Sequence, residues 1–204
     1  MGYFVLIYFV YWIFGTWGFY VVRKRQIRYQ RLARQLYNAR IDKLRRSPSS
    51  ALVKAMEQKE YVKAVLGIMA INFNTVVLQF VLGVFLLAPF WAGFAGTVTG
   101  MVHAFGEKRT LFPYAVANMI FAFAAFSVGG SVGMIVGVDW MFGEMEIIQA
   151  LQGNLPLIFS GLLISLILLM LNGLIEAAGP IFFEIHSVPS LEAVRKQEHL
   201  SLEE

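Results

Sequence analysis

The chain has no cysteine and little charge: Asp, Glu, Lys and Arg make up 15% of its 204 residues, while 58% are hydrophobic. Without thiols there is no disulfide scaffold, thiolate nucleophile, zinc ribbon or iron–sulfur ligation. Soluble domains carry about a quarter charged residues, so the shortage of charge excludes an ordinary water-soluble fold. The abundance of apolar residues excludes disorder. Histidine is scarce too, and His103, His186 and His199 stand alone, forming no His-x-x-x-His or His-x-x-Glu pair for a metal. No Gly-x-Ser-x-Gly elbow, phosphate loop or paired intramembrane Asp occurs. No catalytic residue, metal or cofactor is expected, and the chain reads as non-enzymatic. It contains no Asn-x-Ser/Thr sequon, and Leu6 stands where myristoylation needs Ser or Thr.

What the chain has is long apolar runs. Tyr3 to Val22 gives 20 residues without a charge, Ala64 to Ala88 gives 25, Leu111 to Val138 gives 28, and Leu155 to Ala178 gives 24 with one Glu. About 20 residues of helix cross the hydrocarbon core of a bilayer. Phe90 to Phe105 gives only 16, which suits either a short tilted span or a re-entrant half-helix.

Charge chooses between these. Residues 23–63 hold 13 of the 17 basic residues and three acids, a net charge of +10. The remaining basic residues are Lys108, Arg109, Arg195 and Lys196. If all five runs cross, every Lys and Arg lies on one side, and Asp139, Glu144 and Glu146 lie on the other. That is the positive-inside pattern. The expectation is an all-α, polytopic membrane bundle of five transmembrane helices in the plasma (cytoplasmic) membrane, with the N-terminus outside and the C-terminus cytoplasmic. Residues 1–22 read as an uncleaved signal-anchor helix, because the basic cluster follows the apolar run rather than preceding it. Residues 23–63 read as a basic cytoplasmic helical hairpin turned at Ser47-Pro48, and 64–183 as a four-helix membrane domain. Residues 184–204 form a cytoplasmic tail.

The basic hairpin suggests anionic lipid headgroups or a docking protein as its partner, through Arg23, Lys24, Arg25, Arg28, Arg31 and Arg34. Nucleic acid is not expected, since no zinc knuckle or RNP motif accompanies the charge. Within the spans, Gly93, Gly96 and Gly100, and Gly129, Gly133 and Gly137, recur at helical spacing and mark faces for close helix packing, internal or between subunits. Asn72, Asn74, Gln79, Asn118, Asn172 and Glu176 are the intramembrane polar groups, read as interhelical hydrogen-bond formers. Gly179-Pro180 is expected to end the last helix just after Glu176, which is expected to pair with a basic residue. The aromatic stretch from Tyr3 to Phe19, Tyr11 included, reads as lipid-facing or interfacial.

Several segments carry a family resemblance. Ile71-Asn72-Phe73-Asn74, Gly83, Thr99-Gly100, Pro113 to Asn118, the Gly-rich Val128 to Gly133, and Leu174-Ile175-Glu176-Ala177-Ala178-Gly179-Pro180 together resemble the stage II sporulation protein M family of integral membrane proteins. The likeness covers about residues 64–183. Tyr114, Ala115 and Asn118 stand where that family has His, Gly and Glu. The resemblance implies a scaffold-like role, a non-catalytic subunit that holds other proteins in a membrane complex or packs as a homo-oligomer. The layout of an N-out span, a basic hairpin and a return to the membrane is also similar to Oxa-type insertases. That likeness implies a permease- or insertase-like component with a polar groove lined by Asn72, Asn74, Asn118 and Glu176.

Overall fold

The computed structural model describes residues 2–24, 27–45, 49–106 and 112–182. Among them the chain forms eight helices and no strand: α1 (Gly2–Arg23), α2 (Ile27–Arg45), α3 (Ser49–Glu57), α4 (Tyr61–Val84), α5 (Ala88–Gly106), α6 (Phe112–Phe142), α7 (Ile147–Gly153) and α8 (Leu155–Phe182). Four of these are long and apolar enough to cross a membrane: α1, α4, Val116–Phe142 of α6 and Leu155–Gly179 of α8. The class is therefore all-α with four candidate spans.

The fifth apolar run differs from the others. It is one continuous helix, α5. At 19 residues it extends about 28 Å. Its four glycines, two threonines and His103 dilute its apolarity, and it is not one of the four candidate spans.

Element boundaries depart from the apolar runs where backbone turns intervene. α4 stops at Val84, before the run does. Leu86 adopts φ +58°, its N–H donates to Gly83 O and the Leu87 N–H to Leu82 O, both at 2.7 Å. That pair of bonds is a Schellman stop, here with leucine rather than glycine in the left-handed position. Ala88-Pro89 then opens α5, in keeping with proline's preference for a first turn. The same stop recurs at Lys59 (φ +57°), where Lys59 N–H donates to Met56 O and Glu60 N–H to Ala55 O. It separates α3 from α4, so the hairpin's second arm does not run straight into the span. Between α6 and α8 lies an unexpected short helix, α7. Glu146 and Gln149 form its capping box, and the Asn154 side chain ties its end to Asp139 at 2.7 Å. Pro180 does not end α8, which continues to Phe182. A proline in the last turn removes only one backbone bond, the one to the Glu176 carbonyl.

The long helices pack in two same-direction pairs. Gly96 lies against Tyr11 and Gly15, and Gly100 against Gly15 and Phe19, so α5 runs alongside α1 in the same sense. Val76, Phe80 and Val84 of α4 meet Gly129, Gly133 and Gly137 of α6 in step, again in the same sense. The two pairs run opposite to each other: Ile7 meets Gly130, and Tyr11 stacks on Phe123 with ring centroids 4.7 Å apart. α8 packs antiparallel to α6, with Ser165 Oγ donating to Ala125 O at 3.2 Å. The core joining the pairs contains Ile7, Tyr11, Val76, Ala88, Ala92, Phe123, Phe126, Met134 and Leu169. At one end, Tyr29, Ala33 and Leu36 of α2 cover Val21, Val22, Met101 and Ala104, while Leu52, Ala55 and Met56 of α3 cover Ala64, Val65 and Ile68. The perimeter stays apolar, with Phe90 77%, Val62 69% and Phe159 67% exposed.

Candidate functional site: the buried amides

Two polar joints lie within the helices. The first unites α4, α6 and α8. Asn172 is fully buried; its Nδ2 donates to the Asn118 backbone O at 3.2 Å and to the Asn118 side-chain oxygen. Its own Oδ1 accepts from Asn72 Nδ2 at 2.8 Å. The three amides thus form one chain of hydrogen bonds, each serving as donor, acceptor or both for its neighbour. In a low-dielectric interior such a network orients its members strongly, and a missing partner there is costly.

The second joint links α1 and α4. Gln79 is fully buried and its Nε2 donates to the Tyr11 hydroxyl at 2.5 Å. Gln79 Oε1 has no partner among the described residues. It sits where a Cβ on Gly130 would come within 3.1 Å, so the missing side chain at position 130 makes room for the amide. Tyr11 is 1% exposed, which corrects its reading as a lipid-facing aromatic. It lies on the stripe Ile7, Tyr11, Gly15, Gly18 and Val22, all buried.

Asn74 does not join these groups: two residues from Asn72, it points to the opposite side of α4 and is exposed. Glu176 lies one turn beyond Asn172 on α8 and is half-buried. Of the groove expected for transport, Asn72 and Asn118 meet at Asn172 and Asn74 lies apart. Cavities among the described residues occur elsewhere. One of about 430 Å³ lies between α3 and α4, and one of about 500 Å³ lies between α1 and α5; neither is lined by Asn72, Asn118 or Asn172. Among the described residues no group of His, Asp and Glu could hold a metal ion.

The glycines lie at the backbone contacts within the two pairs. A Cβ at Gly96 would come within 2.7 Å of Tyr11 O, and one at Gly129 within 2.7 Å of Val76 O. At Gly100 it would overlap Gly15 O, at Gly133 Phe80 O, and at Gly137 Val84 O. Gly93 is looser, with the Phe14 ring at 3.5 Å. Sequence reasoning missed the other half of the α1–α5 seam, Gly15 and Gly18, although their spacing of three signals it. It also missed Gly83, which faces Gly130 and Gly133.

Of the basic cluster, the Arg23 guanidinium lies 5.2 Å from the centre of the Phe19 ring and Lys24 Nζ lies 5.4 Å from that of Tyr20. Arg28, Arg31 and Arg34 are exposed on α2. Arg25, Lys108, Arg109, the Ser47-Pro48 turn and the tail at 184–204 lie outside the described residues. No protein-family model, curated protein or solved structure matches this chain.

Proposed function

We propose that this chain is a non-catalytic integral membrane subunit, a rigid helical scaffold that holds other proteins in a membrane complex. The observation that carries the reading is the Asn72–Asn172–Asn118 chain, in which the amides bond one another across three helices. A permease or insertase needs polar groups free to bind a passing substrate. These are engaged in holding helices, a role for which interhelical amides contribute about 0.6–2 kcal/mol each.

In this reading all five long helices cross the membrane, α5 included, with the N-terminus outside, the C-terminus inside and the plasma membrane as the location. The alternating sense of α1, α4, α5, α6 and α8 supports it. So does charge. The ends of α1 and α5 and the starts of α4 and α6 share one face of the bundle with Arg23, Lys24, Lys59 and Lys63, while Asp139, Glu144 and Glu146 lie at the other. Flanked by apolar α1, α5 tolerates its glycines because they face a helix rather than lipid. The exposed arginines of α2 sit where they meet anionic headgroups.

Gentle detergent extraction from native membranes, followed by native electrophoresis and mass spectrometry, tests the proposal. A stoichiometric complex with other membrane proteins is expected. A monodisperse 23.0 kDa monomer without a partner overturns it.

A further inference from the structure

Asn74 is the one intramembrane amide of the sequence that the fold leaves unused. It sits on the outward face of α4, is exposed, and makes no side-chain hydrogen bond among the described residues. Its depth makes this unusual. Thirteen residues separate it from Tyr61 and ten from Val84, about 20 Å and 15 Å along the helix, so it lies near the middle of a candidate span. Acyl chains there offer neither donor nor acceptor, and water is scarce. An amide in that position is stabilised by a partner amide or hydroxyl at its own depth.

The surroundings form a helix face suited to a neighbour. Ile71, Val77, Leu78 and Val81 are exposed beside Asn74, and this stretch of α4 bears no charge. Towards the start of α4 the first charged groups along the chain, Lys63 and Glu60, lie two turns or more beyond and are paired with each other at 2.7 Å. Towards that end α3 covers the helix, with Leu52 against Gly67. The open face therefore starts just where α3 leaves it and is centred on Asn74.

We propose that this face is the contact between two copies of the chain, related by a two-fold axis along the membrane normal, with Asn74 bonded to Asn74 of the second copy. The inference rests on the membrane-subunit reading and names its first partner. Two copies inserted the same way bring every residue to the same depth, so the second Asn74 is necessarily level with the first. A two-fold axis is also the place where a residue meets its own counterpart. A primary amide carries both donor and acceptor, so a pair of them satisfies itself, which a lysine or a carboxylate cannot do. Any other protein would need a polar side chain at that level by separate arrangement.

The absence of native cysteine makes the test direct. The full chain, reconstituted in liposomes, carries a single cysteine at Asn74, at Val81 on the same face, or at Phe159 on α8, 67% exposed. Oxidation is expected to give disulfide-linked dimers at Asn74→Cys, fewer at Val81→Cys and none above background at Phe159→Cys. In the cysteine-free chain, Asn74→Leu is expected to weaken self-association about 3- to 30-fold and Asn74→Gln to retain most of it. Equal cross-linking at Phe159→Cys, or undiminished self-association of Asn74→Leu, overturns the inference. In native membranes, cross-linking of Asn74→Cys to a different protein also overturns it and leaves the scaffold reading intact. A dimer that recruits no other protein does the reverse.

Discussion

Gln79 donates a 2.5 Å hydrogen bond to the Tyr11 hydroxyl across 68 residues of sequence, and neither side chain reaches the surface. The bond joins α4, which packs chiefly against α6, to α1, which packs chiefly against α5. It is a polar link between the two pairs.

Tyr11→Phe keeps the ring stacked on Phe123 and removes only the hydroxyl. Gln79 then has no partner for either amide atom, and stability is expected to fall by about 1–3 kcal/mol. The double variant Tyr11→Phe/Gln79→Leu leaves nothing unpaired and is expected to recover part of that loss. Chemical unfolding in mixed micelles reads the double-mutant cycle; additive effects would show that the two residues are not coupled.

Asn172→Leu removes the central member of the amide chain and leaves both Asn72 and Asn118 without it. A loss of about 1–3 kcal/mol is expected, against well under half of that for Asn74→Leu measured in the monomer. If the two substitutions have equal effects by the same unfolding assay, the triad contributes nothing special to the bundle.

Gly133→Ala places a methyl on the Phe80 carbonyl and must push α4 away from α6. About 1–3 kcal/mol of destabilisation is expected from such overpacking. Gly153→Ala meets nothing within 4 Å and is expected to be neutral or slightly stabilising. Lys59→Gly is expected to stabilise, because Lys59 holds an exposed left-handed turn that costs a side-chain-bearing residue about 1 kcal/mol. Thermal denaturation followed by tryptophan fluorescence ranks the three.

Single cysteines report the sidedness. Replacements at Ser50 and Gly106 are expected to resist an impermeant thiol reagent added outside, and those at Gln152 and Glu146 to react. Gly143 is unsuitable as a probe, since a Cβ there would strike Asp139 O. Labelling at Gly106 without labelling at Gln152 would remove α5 from the list of crossing helices.

The sequence made the four candidate spans plain, because an uninterrupted apolar run needs no knowledge of its neighbours. The ends were harder. α4 stops at Val84 although apolar residues continue, because Leu86 takes a conformation that composition gives no reason to expect. Pro180 pointed to a stop that α8 does not make: the helix continues to Phe182, and a proline so near the end removes one hydrogen bond. Asn72 and Asn74 could be assigned to different faces from their spacing alone. Which face was inward could not, because that depends on where α8 delivers Asn172. Tyr11 was hidden for the opposite reason. Its neighbours Phe9, Ile13 and Phe14 do face outward, and only the period of Ile7, Tyr11, Gly15 and Gly18 sets it apart.

The same-direction pairing has a consequence for biosynthesis. Two helices that run the same way cannot be consecutive arms of a hairpin, so each pair must wait for a helix made later. α1 leaves the ribosome long before α5, and α4 before α6, with their close-contact surfaces still open when the first helices are already inserted. The α1–α5 seam therefore closes only when about half the chain has been made, and the α4–α6 seam only at about seven-tenths. A nascent chain ending after α4 holds two helices that have each lost their main neighbour, and quality-control proteases would meet it in that state. Arrested chains ending after α5 should already resist extraction and digestion better than those ending after α4, and the largest gain should come with α6.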